Sequence, residues 1–259
     1  MLELKNITKT FNPGTVNEKI ALNDLSLTLN DGDFVTVIGS NGAGKSTMLN
    51  AIAGAFSLDK GSIVCNGKDV TNLPDFKRAS IFGRVFQDPM MGTSPAMLIE
   101  ENLALALRRG QRRGLKWGIS EKERELFKNE LKNFDLGLED RLGVKVRLLS
   151  GGQRQALTLL MAVMKKPEVL LLDEHTAALD PKTASKVLAM TEKIVTENNL
   201  TTLMITHNMK DALEYGNRII MMDNGKIIFD ACGEEKKKLT INDLLNFFTD
   251  ANDSMILSK

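Results

Sequence analysis

The sequence predicts an α/β fold with a parallel sheet at its centre, and three observations carry that prediction. Residues 33–39 (DFVTVIG) and 168–174 (EVLLLDE) are apolar at consecutive positions, as strands covered on both faces of a parallel sheet are. The first third of the chain alternates instead, apolar then polar, as half-covered strands do. From about residue 98 the pattern turns helical, so a helical stretch at about 89–165 interrupts the two sheet-forming regions.

Each element follows from its own residues. Residues 2–11 (LELKNITKTF), 25–30 (LSLTLN) and 62–70 (SIVCNGKDV) have period two, and Asn66-Gly67 suits a tight hairpin turn. Residues 33–39 form a buried strand that runs into a glycine-rich turn and then a helical TMLNAIAG. IEENLALALRR (99–109) is helical, and a basic, glycine-bearing loop follows it, with Arg108, Arg109, Arg112, Arg113, Lys116 and Trp117 expected as a solvated charged surface. Ser120 with Glu123 three residues on makes a capping box that opens a helix over 121–134. Pro181 fits the first turn of an amphipathic helix over 181–198. Residues 201–207 (TTLMITH) read as a buried strand, 208–216 as a helix closing on Gly216, and 218–229 as a hairpin through Asn224-Gly225. LTINDLLNFFTD (239–250) reads as a short amphipathic helix.

Composition narrows the classes. With 42% hydrophobic and 26% charged residues the chain is expected to fold as one or two soluble domains, and a net charge of +1 supplies no field that would draw it to nucleic acid. Cys65 and Cys232 are isolated, without metal-ligand spacing, which fits a reducing compartment; both are expected to be buried thiols. Charges begin at the third residue, so no signal peptide is expected, and the longest apolar runs fall far short of a membrane span.

Three motifs carry chemistry. The first is GSNGAGKST, in which Gly39, Ser40, Asn41, Gly42, Ala43, Gly44, Lys45, Ser46 and Thr47 lie between a buried strand and a helix. Backbone N–H groups of such a turn converge on an anionic oxygen, glycines clear the approach, Lys45 reaches terminal phosphates, and the Ser46 hydroxyl suits Mg²⁺. A bare helix-capping glycine turn is the plainer reading, and the loop alone indicates a nucleoside triphosphate and nothing narrower. The second motif is Asp173-Glu174 at the end of a buried strand. One carboxylate can offset metal charge while the other takes a proton from an attacking water, although such a pair often only caps a helix. The third is LLSGGQRQAL (148–157), where Ser150, Gly151 and Gly152 open a helix with a second cluster of N–H donors.

LSGGQ (Leu149, Ser150, Gly151, Gly152, Gln153) followed at this distance by LLLDE resembles the ATP-binding cassette (ABC) ATPases, over roughly residues 2–230. The resemblance implies a P-loop NTPase (RecA-like) core with an antiparallel β subdomain and an inserted α-helical subdomain, as one nucleotide-binding domain over 1–230, with a short helical tail at 231–259. It implies ATP and Mg²⁺ as cofactors, with Ser46, Gln87 and Asp173 around the metal, Glu174 as base, His207 as the switch histidine that positions it, and Gln87 as the hinge between lobes. Phe11 would stack on adenine, where tyrosine is commoner. The signature of one subunit would close over the phosphates held by another, with Asp180 in the loop that crosses between them. Partners implied are a second copy or a paired cassette, an integral membrane permease and an extracytoplasmic solute-binding protein, at the cytoplasmic face of the membrane and without nucleic acid.

Three positions depart from the family's usual pattern: His175 stands where proline is usual, Arg147 where glycine is common, and Leu98 where the residue is often polar. The methionine-bearing DPMMGTSPAM (88–97) suits a groove that grips a partner helix. GTSPAM and DEHTAALDP resemble cassettes of lipoprotein-dependent uptake systems, with an amino acid as solute. The expected function is therefore the ATPase subunit of an importer. The alternatives are a soluble cassette of the iron–sulfur cluster assembly type and a nucleotide sensor that does not hydrolyse, the last disfavoured by intact Lys45, Asp173, Glu174 and His207.

Overall fold

The computed structural model describes residues 1–111, 118–133 and 137–256, and side chains as far as residue 248. The remainder of the basic loop, including Arg112, Arg113, Lys116 and Trp117, lies outside the described residues. In chain order the elements are β1 (Leu2–Phe11), β2 (Lys19–Leu29), β3 (Phe34–Gly39), α1 (Lys45–Ala53), β4 (Lys60–Cys65), β5 (Lys68–Asp69), α2 (Asp75–Arg78), β6 (Phe82–Val85), α3 (Ile99–Leu107) and α4 (Glu121–Asn133). A 3₁₀ turn (Val146–Leu148) precedes α5 (Gly151–Val163), β7 (Val169–Asp173), α6 (Pro181–Glu197), β8 (Thr202–Ile205), α7 (Met209–Glu214), β9 (Arg218–Asp223), β10 (Lys226–Cys232), α8 (Gly233–Lys238) and α9 (Ile241–Ile256).

Among the described residues the strands form two sheets. One is antiparallel, in the order β2-β1-β4-β5; the other runs β10-β9-β3-β8-β7-β6, parallel from β9 to β6 with β10 antiparallel at its edge. This is the α/β architecture expected. The continuous apolar runs became the central strands: β3 pairs Val37 with Ile205, and β7 pairs Asp173 with Ile205, so β3, β7 and β8 end at one edge of the sheet. Both expected hairpin turns formed, with Asn66-Gly67 and Asn224-Gly225 all at positive φ.

The core divides as the layers do. Leu22, Val37, Met48, Ile52, Ile63 and Leu171 join the antiparallel sheet to α1 and the parallel sheet. Phe127, Leu131, Leu157, Leu160, Leu172 and Met204 bind the helical insertion to the other face. A third cluster, with Ile38, Ala212, Met221 and Leu244, fastens α9 to the sheet, and Phe229 stacks on Phe247 at 4.3 Å between ring centroids.

Several expectations shift in detail. Strand β6 has no counterpart in the periodicity reading, because its four residues include Gly83 and Arg84 and are too short to show a period. The last strand runs to Cys232, past the expected boundary at 230, and the expected single tail helix is two, α8 and α9, separated at extended Leu239. Cys65 is buried as expected, but Cys232 is exposed: strand alternation turns Ala231 into the core and Cys232 outward. Arg109 is not a solvated charge either, since its guanidinium is largely desolvated and its Nη2 donates to the Ala162 carbonyl at 3.0 Å.

Candidate nucleotide site

The parallel order dictates where chemistry can gather. Chain leaving β3, β7 and β8 emerges at the same edge, which is where open α/β sheets receive ligands. After β3 comes the glycine-rich loop, after β7 Glu174, and after β8 His207.

The loop's shape is set at Gly44. It caps α1 with φ 102°, and a Cβ there would meet the Ala21 carbonyl oxygen at 2.4 Å, so any larger residue is excluded twice over. Lys45 is buried and its Nζ donates to the carbonyls of Gly39 at 2.8 Å and Ser40 at 2.9 Å. Burial pulls this ammonium below the ordinary lysine value, and the negative charges of Glu174 and Asp173 oppose the shift. Ser40 Oγ donates to Asp223 at 3.3 Å and Ala43 is packed in the core, so these two shape the loop from behind.

A cleft of about 290 Å³ opens over the loop. Asn41, Gly42, Gly44, Lys45, Ser46 and Thr47 form its floor; Phe11, Glu174 and His207 form its walls. Phe11 stands edge-to-face against Phe56, with ring centroids 5.4 Å apart. Glu174 has φ 46°, in the left-handed region, and its Oε1 lies 2.5 Å from His207 Nε2. A carboxylate so paired can draw a proton from water while the imidazole holds its orientation.

Asp173 lies just behind. Its Oδ1 accepts from Ser46 Oγ at 3.2 Å and its Oδ2 lies 3.6 Å from Arg84. Arg84 also donates to Asn50 at 2.6 Å and covers the Phe86 ring at 4.4 Å. The donor set of Ser46 and Asp173 is hard oxygen and incomplete by itself, which fits Mg²⁺: that ion keeps waters and shares phosphate oxygens rather than filling a protein cage.

Other expected residues lie apart. Gln87 is exposed on the loop after β6, outside the lining of the cleft. Asp180 caps α6, its Oδ1 accepting from the Thr183 N–H at 3.1 Å, and that bonding holds its carboxyl below the usual value. Its neighbours Leu179 and Pro181 border a second cleft of about 660 Å³ that shares Glu174 and His207 with the first.

The signature residues occupy a third cleft, about 550 Å³, where Ser150, Gly152 and Gln153 face α6 residues Thr183, Lys186 and Met190. Ser150 caps α5 reciprocally with Gln153, each bond 3.2 Å, leaving the helix N-terminus formed and open; Leu149 is buried beneath it. None of these residues lines the cleft over the glycine-rich loop of the same chain.

Two groups escaped the sequence reading. Lys19 lines the cleft from the start of β2, with no motif to mark it. Arg84 was visible only as a lone charge in an apolar run, FGRVF. Of the departures, His175 is buried, its Nε2 3.1 Å from Thr191 Oγ1, and burial pushes its imidazole down to about 4. The Arg147 carbonyl accepts from Arg154 at 3.2 Å, and Leu98 caps α3 with its N–H on Glu101 at 2.7 Å.

Comparison with known proteins agrees with this geometry. A family model described as ABC transporter matches residues 22–177. The chain is 47% identical over 253 residues to a tyrosine transport ATP-binding protein of Clostridioides difficile, covering 96% of this chain and 98% of that one. It is 37% identical over 235 residues to the spermidine/putrescine import ATP-binding protein PotA of Haemophilus ducreyi, spanning 91% of this chain and 59% of that protein. Among solved structures, a dimeric post-hydrolysis state of the ATP-binding cassette MJ0796 bound to ADP and Pi superposes with a TM-score of 0.77 at 32% identity, over 90% of this chain and 98% of that one.

Proposed function

The chain belongs to the ABC transporter family, and on that premise we propose that it is the ATP-hydrolysing subunit of an importer for an amino acid. The ATPase assignment follows from the family. The observation that carries the catalytic reading is the convergence of Lys45, Glu174 and His207 on one cleft at the carboxyl edge of the sheet.

In this reading the loop from Gly39 to Thr47 cradles the phosphates of ATP and Phe11 takes the adenine. Ser46 and Asp173 would hold Mg²⁺, which supplies charge neutralisation at the phosphates. Glu174 takes the proton of the attacking water, and His207 fixes the carboxylate. Because Ser150, Gly152 and Gln153 line a different cleft, with Leu149 and Gly151 beside them in the chain, the site is completed by another cassette, with Asp180 near the junction. A homodimer is the simplest arrangement, and the dimeric cassette that superposes on this chain supports it.

Exposed Met90 and Met91, close after Gln87, suit the groove that receives a membrane permease. An extracytoplasmic binding protein would deliver the solute, and the cassette would sit at the cytoplasmic face of the membrane. The tyrosine transport relative supports an amino acid as cargo, and the transport names of the relatives favour this reading over iron–sulfur cluster assembly.

Light scattering on purified Glu174→Gln with Mg-ATP and with ADP, beside ATP turnover of the parent, tests the proposal. A dimer that forms only with ATP, together with lost turnover, is expected. Parental turnover by Glu174→Gln would remove Glu174 as base. Tyrosine-dependent stimulation of ATP turnover in proteoliposomes containing the permease and binding protein tests the cargo.

A further inference from the structure

We propose that His175 is a positioning residue, one that holds Glu174 against His207 by tying the end of β7 to the middle of α6. The inference rests on Glu174 being the base. Glu174 has φ 46°, a conformation that persists in a non-glycine residue only where surrounding contacts over-determine it. Its own backbone supplies two of those contacts: its N–H donates to the Ile205 carbonyl at 3.1 Å, and its carbonyl accepts from Ala177 at 2.9 Å. Both lie close to the strand end and do not reach the helical layer. The next side chain does. His175 is 2% exposed and its Nε2 lies 3.1 Å from Thr191 Oγ1, which is 1% exposed on α6.

The direction of that bond is legible. Thr191 Oγ1 spends its proton on the Val187 carbonyl at 2.8 Å, one helical turn back, so its lone pair must accept, and the proton sits on His175 Nε2. His175 Nε2, Thr191 Oγ1 and the Val187 carbonyl thus form one buried relay of two hydrogen bonds, which favours a single geometry. Where the family usually has a proline, stiff by its ring, this chain has a side chain that reaches a helix. The backbone after Glu174 is thereby fixed to the helix that Asp180 caps, so a shift of α6 moves the carboxylate with it.

The test pairs removal with conservative replacement. Thr191→Val deletes the acceptor and keeps the volume; Thr191→Ser restores it. His175→Leu deletes the donor and His175→Gln replaces it. For Thr191→Val and His175→Leu, kcat for ATP is expected to fall about tenfold with KM within about twofold, as misplacement of a reacting group requires. Thr191→Ser and His175→Gln are expected to keep at least about a third of parental kcat, and the double variant Thr191→Val, His175→Leu to fall no further than either single one. Should His175→Leu fail to fold, the Thr191 pair decides. A second readout does not involve turnover: the chain has two histidines, so the slowly exchanging imidazole N–H resonance of His175 is assigned by one substitution, and it should be lost in Thr191→Val.

Parental kcat and an unmoved N–H resonance in Thr191→Val would overturn the inference, as would a rise in KM at constant kcat. Glu174→Gln separates the two levels. If it is inactive while Thr191→Val and His175→Leu match the parent, only the His175 inference fails; if it turns over normally, the reading of Glu174 fails first.

Discussion

His207 Nε2 lies 2.5 Å from Glu174 Oε1, joining a side chain that follows β8 to one that follows β7. The two meet because Asp173 and Ile205 are direct partners in a parallel register, which brings the residues just beyond them to one edge. Glu174 is nearly buried and His207 about half exposed, so the pair sits with its carboxylate inside the protein and its imidazole at the open side of the cleft. His207→Ala is expected to lower kcat about 100-fold, in the range of a lost acid–base or orienting partner, with a much smaller change in KM. Steady-state ATP turnover checks it, and equal losses in kcat and in nucleotide affinity would contradict the assignment.

A second prediction concerns the signature. A Cβ on Gly152 would meet Thr183 Cγ2 at 2.2 Å, so α5 and the start of α6 approach as closely as a missing side chain permits. Gly152→Ala should destabilise the fold by about 1–3 kcal/mol through overpacking. Adding Thr183→Ser removes the clashing methyl while keeping the hydroxyl that supports Asp180, and should recover most of that loss. Thermal unfolding of the two variants decides the matter; an unrelieved loss would mean that the helix, not the contact, needs the glycine.

Arg78 is a structural charge without an ion-pair partner among the described residues. It is 2% exposed, and its guanidinium donates to the carbonyls of Ala51 at 2.7 Å, Ile52 at 2.9 Å, Thr71 at 2.6 Å and Leu73 at 3.0 Å. Two of these carbonyls end α1, the helix behind the phosphate loop. Arg78→Met should therefore cost roughly 3 kcal/mol, because buried acceptors lose their donors together. Urea denaturation measures it, with a lower midpoint at an unchanged slope as the expected result.

The cysteines should separate cleanly. Burial pushes the Cys65 thiol up, while Cys232 is exposed at the end of an edge strand. A thiol reagent at pH 8 should label one cysteine rapidly in the native protein and both in urea, and Cys232→Ser should remove the rapid phase. Rapid labelling of two thiols under native conditions would contradict the packing around Cys65.

Much of the site was legible because its pieces are local. A glycine-rich turn after an apolar run, a helix opened at Ser150, Gly151 and Gly152 and a carboxylate pair at a strand end are each specified by residues a few positions apart, through backbone hydrogen bonds and steric room. The two hairpins are of the same kind. What stayed hidden involves partners far along the chain: Arg84 on Asp173, Arg78 on the end of α1, and His175 on Thr191. None has a fixed spacing, so no periodicity announces it. Even Cys232 was misjudged for this reason, since its exposure depends on which face of an edge strand meets α9.

The sequence by itself thus determined the α/β class, the phosphate loop, the carboxylate pair and the signature, because short-range sterics and hydrogen bonding suffice for each. Only the tertiary structure decided that Phe11, Lys45, Glu174 and His207 share one cleft while Ser150, Gly152 and Gln153 face another. The reason is the order β9-β3-β8-β7-β6, which gathers the ends of β3, β7 and β8 at one edge and leaves α5 in the helical layer beside α6.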